Sequence, residues 1–339
     1  MSGKRRALPA VFFPVIDSGT TSNSEMSSTD QGWADYWQHD GDSGEVFVNS
    51  KGERHPALAE HWGAVFEGVP CNAAVIDIAS GAGSIFAHLP AGHGLDLFAA
   101  DIAEEALKAL AGRMPSVTTL VCSGDAVPYD DGRFDLVVSQ FGIEYAGIDA
   151  FTEAARLVAP GGRLAGLCHV EDGYIDSNNK TQLEEARLVN ETNFIDLAID
   201  LTKAAFSADV DAMQRSEKAF VPVMKKVAAG IQRCSRGIHS HLYQGFQRLF
   251  ERRRSYDEAD IISWLKQMQI ELDKNIDRLS RMRAAALSPA DTVNITENLK
   301  SAGLQGIQFE HFTTLGNRLP VAWKLSAARP ALRKSETRK

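Results

Sequence analysis

Apolar positions along this chain change their rhythm twice. Between Val75 and Val170, short and nearly unbroken apolar runs alternate with stretches of helical period. Ala74–Ile78, Leu95–Ala100, Val117–Cys122, Phe134–Ser139 and Arg163–His169 read as strands, because unalternated β-branched runs suit strands covered on both faces. Ala103–Arg113 and Asp149–Val158 read as helices, the second stopped by Pro160-Gly161-Gly162. A further helix is predicted over Pro56–Phe66, where Leu58, Trp62 and Phe66 fall on one stripe. Strands and helices alternating in this way predict a doubly wound, mostly parallel α/β sheet.

After Val170 the pattern becomes helical only. From Thr181 to Ala286 no strand pattern recurs, and Ile261, Leu265, Met268, Leu272, Ile276, Leu279 and Met282 mark one face of a long amphipathic helix. Ser288-Pro289-Ala290-Asp291 then looks like a helix start with proline in its first turn, and Ala302-Gly303 like its end. Gly306–Phe312 and Val321–Ser326 read as two late strands. The chain thus divides into a polar tail over 1–30, a sheet-forming part over 31–170, an all-helical insertion over 171–287, the last sheet elements over 288–328, and a polar end over 329–339.

Composition narrows the function classes. A chain of 339 residues with 44% hydrophobic and 24% charged residues is ordinary for a globular protein. Its formal net charge of −8 disfavours bulk nucleic-acid binding, which needs a basic surface. Cys71, Cys122, Cys168 and Cys234 lack metal-ligand or disulfide spacing and read as thiols of a reducing compartment. No apolar run reaches the roughly 20 residues of a membrane span. Lys4-Arg5-Arg6 precedes an apolar stretch, but Pro9 and Pro14 interrupt it and Ser18–Ser28 offers no small-x-small cleavage site. Cytoplasmic location is the default expectation. His239-Ser240-His241 reads as surface, and no metal site is expected.

The chemistry concentrates in Val75-Ile76-Asp77-Ile78-Ala79-Ser80-Gly81-Ala82-Gly83-Ser84, where a strand ends on an acid and enters a small-residue loop. Ala79, Gly81 and Gly83 leave room for a ligand against the backbone. A dinucleotide fingerprint would place a third glycine where Phe86 stands, so a nucleoside without pyrophosphate is favoured over NAD. The run nearly fits D-x-G-x-G-x-G and resembles motif I of the class I S-adenosylmethionine (SAM) dependent methyltransferases. Arg133-Phe134-Asp135-Leu136-Val137-Val138-Ser139-Gln140 and Pro160-Gly161-Gly162-Arg163-Leu164 resemble that family's fourth-strand motif and the turn into its fifth strand. The resemblance implies a seven-stranded sheet with its last strand antiparallel, and SAM as cofactor. Asp101, about two dozen residues beyond Asp77, suits a carboxylate bound by ribose hydroxyls, with Ile102 beside it. By the resemblance Asp125 contacts the adenine amino group and Ala126 packs on the ring. Asp77, Ala79, Ser80, Gly81 and Gly83 then hold the cofactor, with Gln140 and Trp37 beside it. The alanine at 79, replacing the first glycine, is tolerated if its φ is negative.

Residues at the ends of strands four and five stand where the acceptor is expected: Glu144, Tyr145 and His169, with contact to the methionyl part of the cofactor as the alternative for Glu144 and Tyr145. Histidine has the intrinsic pKa for general-base work, which a hydroxyl acceptor requires. Trp33, Tyr36 and Trp37 suggest a helical lid over the sulfonium. The insertion is expected to select the acceptor, a small or lipid-like molecule methylated on O, N or S. Its segment Arg215–Arg254 carries ten basic residues against Glu217 and Glu251, which leaves room for an anionic acceptor or peripheral membrane contact. Two alternatives stand beside this reading. One is an RNA or protein methyltransferase using those basic helices, the other a non-catalytic SAM-fold subunit. The sequence leaves the oligomeric state open.

Overall fold

The fold is described from a computed structural model over Phe47 and residues 54–332. The expected tail over 1–30 and the aromatic lid residues Trp33, Tyr36 and Trp37 lie outside the described residues. The chain divides into two compact units, one comprising Ser177–Ala284 and the other built on the sheet.

The sheet unit contains β1 (Ala74–Ile78), β2 (Asp96–Asp101), β3 (Thr118–Val121), β4 (Phe134–Gln140), β5 (Val158–Cys168), β6 (Gln305–Phe312) and β7 (Ala322–Ala328). They form one seven-stranded sheet in the order β3-β2-β1-β4-β5-β7-β6. The first five strands are parallel, and β7 runs antiparallel to both β5 and β6. Chain order reverses between β1 and β4, so the cleft beyond their carboxyl ends is where such sheets bind ligands.

Both faces of the central strands β1, β2 and β4 are covered, as their unbroken apolar runs require, whereas the edge strands β3 and β6 have no buried residue. On one face α1 (Pro56–Phe66) and α2 (Glu104–Arg113) pack through Leu58, Trp62, Phe66, Leu107 and Leu110 against Val75, Leu97, Leu136 and Val138. On the other, α3 (Ile148–Leu157) and α9 (Pro289–Ser301) supply Phe151, Ala154, Ile295 and Leu299 against Ile76, Ile78 and Val137. Each fully buried Leu or Phe of this kind contributes about 1.5–3 kcal/mol. The helix starts follow local chemistry. Pro56 occupies the first turn of α1, where His55 accepts the Ala57 N–H. Ser288 and Asp291 form a reciprocal capping box on α9.

One boundary departs from expectation. Pro160-Gly161-Gly162 does not precede β5 but lies inside it, because the strand begins at Val158 and its register against β4 slips between Phe134 and Leu136. A bulge absorbs the extra residues. At the far end, β7 extends to Ala328, and Arg329 donates to the carbonyls of Val158 and Ala155.

The second unit is helical throughout its described length: α5 (Phe194–Ser207), α6 (Val210–Arg233), α7 (Ile238–Glu251) and most of α8 (Glu258–Ala285), entered by α4 (Tyr174–Glu191). Its core is aromatic at the centre, where Phe194, Phe220 and Phe246 meet with ring centroids 5.1–6.2 Å apart. Ile261, Leu265, Met268 and Leu272 of α8 pack into the same core. His239 is buried here and bonds to the Cys234 carbonyl; the expected surface position holds only for His241.

Candidate methyl-transfer site

Side-chain parity puts the acids together. Val75 and Asp77 project to the same face of β1, as Leu97, Ala99 and Asp101 do on β2. Asp77 pairs with Ala99, so Asp101 sits one pleat further on the adjacent strand, at the carboxyl edge. Both carboxylates are buried, at 1% and 8% exposure. Their surroundings differ sharply. Asp101 accepts the N–H of Gly81 at 2.7 Å and that of Ala103 at 2.8 Å. Burial raises its pKa, opposed by the N–H groups of Ala103, Gly81 and Ile102. Asp77 has no hydrogen-bond partner for either oxygen among the described residues. Burial first, and the Asp101 carboxylate second, hold its pKa well above the usual carboxylate range.

The small-residue loop bends over these acids. Ala79, Gly81 and Gly83 have φ of 54°, 52° and 76°. The condition under which alanine was to be tolerated at 79, a negative φ, is therefore not met: the residue replacing the first glycine occupies the left-handed region that glycine favours. The loop must turn this sharply for Gly81 to reach Asp101. Gly83 is also required for close packing, since a β-carbon there would lie 2.6 Å from Leu110 Cδ1 of α2. Arg113 of α2 donates to the Ala82 carbonyl, fastening the loop from behind.

Gln140, at the end of β4, is spent on the scaffold. Its amide accepts from Trp62 Nε1 and donates to Ser84 Oγ at 3.0 Å, linking α1 to the loop. Ser139 donates to the Ile78 carbonyl at 2.8 Å and accepts the Ile143 N–H at 3.1 Å. These ties position the 3₁₀ turn Ile143–Ala146. Phe141 leaves β4 with φ 51°, and a β-carbon on Gly142 would lie 2.5 Å from the Ala79 carbonyl oxygen. Both loops leaving the central strands are thus held in costly backbone conformations, which concentrate at functional sites.

Glu144, Tyr145 and His169 come together at the ends of β4 and β5. Glu144 Oε1 accepts the His169 N–H at 2.7 Å and lies 2.7 Å from its Nδ1. Glu144 and His169 are 4% and 1% exposed, and the rings of Tyr145 and Phe141 lie 5.7 Å and 4.8 Å from the imidazole. Glu144 Oε2 and His169 Nε2 have no partner among the described residues. A carboxylate on Nδ1 favours the tautomer that leaves Nε2 as the proton acceptor. Cys168 next to this pair is no nucleophile, because burial and then Glu144 raise its pKa well above the thiol range. Cys122 is likewise pushed up to about 11 by burial and by Asp101, Glu153 and Asp125.

Asp125 and Ala126 are solvent-exposed beyond β3, and Ile102 is half-buried beside Asp101. Trp62, Ser84, Ser139 and Arg113 were not among the expected site residues. Trp62 is marked in the sequence only as part of an apolar stripe, and nothing local reveals that its indole N–H reaches a residue 78 positions away. Among the described residues no cluster of three ligand-type side chains could hold a metal ion, and no helix is long and apolar enough to cross a membrane.

The residues fit SAM on two counts. The Asp77 carboxylate, without a partner among the described residues, lacks the cation that a sulfonium or ammonium group brings, and the loop beyond β1 consists of Ala79, Ser80, Gly81, Ala82 and Gly83, small residues that let a ligand approach the backbone. Comparisons with known proteins agree. Residues 76–166 match the family model described as a methyltransferase domain. An uncharacterized methyltransferase of Mycobacterium tuberculosis is 32% identical over 99 residues, 29% of this chain. The chain spans 40% of the length of the curated relatives it matches. Among solved structures, it resembles a putative methyltransferase of Haloferax volcanii in complex with the Trm112 activator. That likeness has 24% identity and TM-score 0.36, and covers 46% of this chain and 65% of that one. It also resembles the geranyl diphosphate C-methyltransferase of Streptomyces coelicolor, at 16% identity and TM-score 0.36 over 43% of this chain and 66% of that one. The matched segment runs from β1 into β5, so this part of the sheet unit is similar to a methyltransferase domain.

Proposed function

We propose that this protein transfers the methyl group of SAM to an O, N or S atom of a small or lipid-like molecule. The observation that carries the reading is Asp77: a buried carboxylate without a partner among the described residues, on the same face as Asp101 and followed by a small-residue loop. Asp101 and Ile102 are assigned to the ribose, and Asp125 and Ala126 to the adenine. The backbone of Ala79, Ser80, Gly81 and Gly83 lies against the nucleoside, and Asp77 takes the ammonium group. Trp37 is kept as a lid residue. Gln140 acts through Ser84 and Trp62, by holding the loop and α1 in place.

Bound SAM supplies an electrophilic methyl group on a sulfonium, and transfer is an in-line displacement governed by positioning and desolvation. Glu144, Tyr145 and His169 are assigned to the acceptor side. His169 Nε2 takes a proton from a hydroxyl acceptor, while Glu144 orients the ring through Nδ1. The helical unit, which follows β5 directly in the chain, is assigned the choice of acceptor.

Calorimetric titration tests the assignment. S-adenosylhomocysteine should bind and NAD should not. Asp101→Ala should weaken that binding by about 1–3 kcal/mol, since a buried hydrogen-bonding group is lost. Affinity unchanged in the variant removes Asp101 from the nucleoside site. A second reading, methylation of RNA or protein, draws on Arg215, Lys218, Lys225 and Lys226, which are exposed at positions that share one face of α6. It requires steeply salt-dependent binding of a polyanion, absent if the acceptor is small.

A further inference from the structure

The two buried acids at the end of the sheet are unlike in a way that bears on how the site fills. Asp101 is held by fixed backbone donors, which stabilise its charged form without any ligand. Asp77, at 1% exposure, has neither oxygen bonded among the described residues. An ionised carboxylate so placed is shut off from bulk solvent and has no counter-charge among the described residues, and a protein interior meets that cost by keeping the group protonated. The neighbouring charges do not relieve it. From β2 the facing group is Asp101, which is itself acidic. Cys122, from β3, feels Asp101 and stays a thiol. From α2, Arg113 is turned to the Ala82 carbonyl. From β4, Ser139 and Gln140 are neutral and bonded elsewhere, and the Glu144 beyond them is engaged with His169.

We propose that Asp77 carries a proton in the free protein and releases it to solvent when a cationic ligand group settles against it, so that cofactor binding is coupled to proton release. The proposal rests on the assignment of the site to SAM and names the residue that couples occupancy to pH. In the free site the O–H of Asp77 needs no partner charge. In the filled site the ligand's ammonium supplies that charge, the proton leaves for the buffer, and the carboxylate pairs with the cation. Pairs of acids whose surroundings differ in this way divide into one ionised and one protonated member.

The coupling sets a sign for pH dependence. Over the range in which free Asp77 is protonated and bound Asp77 is ionised, each unit of rising pH strengthens binding about tenfold. Above that range affinity levels off, because the free carboxyl has already ionised. Adenosine, which lacks the ammonium, has no reason to displace the proton.

Isothermal titration calorimetry of the full chain with S-adenosylhomocysteine, in two buffers of different ionisation enthalpy at a series of pH values from about 4 to 8, counts the protons. In part of that range close to one proton should leave per ligand bound, and none with adenosine at any pH. Asp77→Asn should bind S-adenosylhomocysteine without proton release and with an affinity flat in pH. Asp101→Asn should weaken binding but retain the release. Binding of S-adenosylhomocysteine without proton release in the wild-type chain overturns the proposal and leaves the cofactor assignment standing. Release undiminished in Asp77→Asn, or lost in Asp101→Asn alone, overturns it equally. Failure of S-adenosylhomocysteine to bind at any pH overturns the cofactor assignment instead. Should Asp77→Asn not fold, the wild-type pH profile and the adenosine comparison decide the matter alone.

Discussion

Ala79 shows how a single methyl group can oppose the local backbone. At φ 54° an alanine sits where only glycine is unstrained, at a cost of about 1–2 kcal/mol. The cost is offset by the bonds the turn permits, above all Gly81 N–H to Asp101. Ala79→Gly should therefore stabilise the chain by about 1 kcal/mol in urea unfolding, the gain reduced somewhat by glycine's freedom in the unfolded state. A destabilised variant would mean that the Ala79 methyl contributes packing worth more than the strain. Asp77 gives a second residue-level test. Its folded pKa lies above the unfolded value of about 3.9, so the stability linked to its protonated form is present at low pH and lost as pH rises through the folded pKa. Asparagine does not titrate. The melting temperature of Asp77→Asn relative to the ligand-free wild type should rise as pH climbs above about 4 and level off once the folded carboxyl ionises; a difference independent of pH would contradict the burial argument. The acids and the loop were legible in the sequence because strand, acid and small residues are contiguous. The pairing of Glu144 with His169 was not, since 25 residues separate them and only the adjacency of β4 and β5 brings them within 2.7 Å.

At the scale of elements, local signals set most boundaries. Pro56 starts α1 and the Ser288–Asp291 box starts α9, where the sequence pattern placed them. The start of β5 escaped that reading, because Pro160-Gly161-Gly162 has the composition of a turn and becomes strand only through pairing with β4 across a bulge. The helices of the insertion were legible as periodicity, but their packing was not. Gly245 of α7 exists for that packing: a β-carbon there would lie 2.6 Å from the Trp264 ring of α8. Gly245→Ala gains helix propensity yet should destabilise the helical unit by about 1–3 kcal/mol through overpacking, measured by urea unfolding monitored by circular dichroism. Unchanged or increased stability would show that the Trp264 ring moves aside freely.

For the whole molecule, two compact units with separate cores predict more than one cooperative unfolding event. Scanning calorimetry of the full chain should resolve two transitions. Saturating S-adenosylhomocysteine should raise the transition of the sheet unit, by about 2.7 kcal/mol of stability at a hundredfold excess over Kd. One two-state transition, shifted as a whole, would mean that the units fold as a single cooperative block. Charge is also a whole-chain property with local exceptions: a net −8 coexists with a basic stretch between Arg215 and Arg254. The sequence by itself determined the doubly wound sheet, the run of helices between its fifth and sixth strands and the acids at the strand ends. Each of these is written in the period and order of contiguous residues, which the backbone reads locally. Tertiary structure alone decided that Asp77 is left without a partner among the described residues while Asp101 is held by two backbone donors. It also decided that Trp62 locks Gln140, and that Glu144 meets His169. Those outcomes depend on which strands become neighbours and on what burial removes from water, and no contiguous stretch of residues contains either.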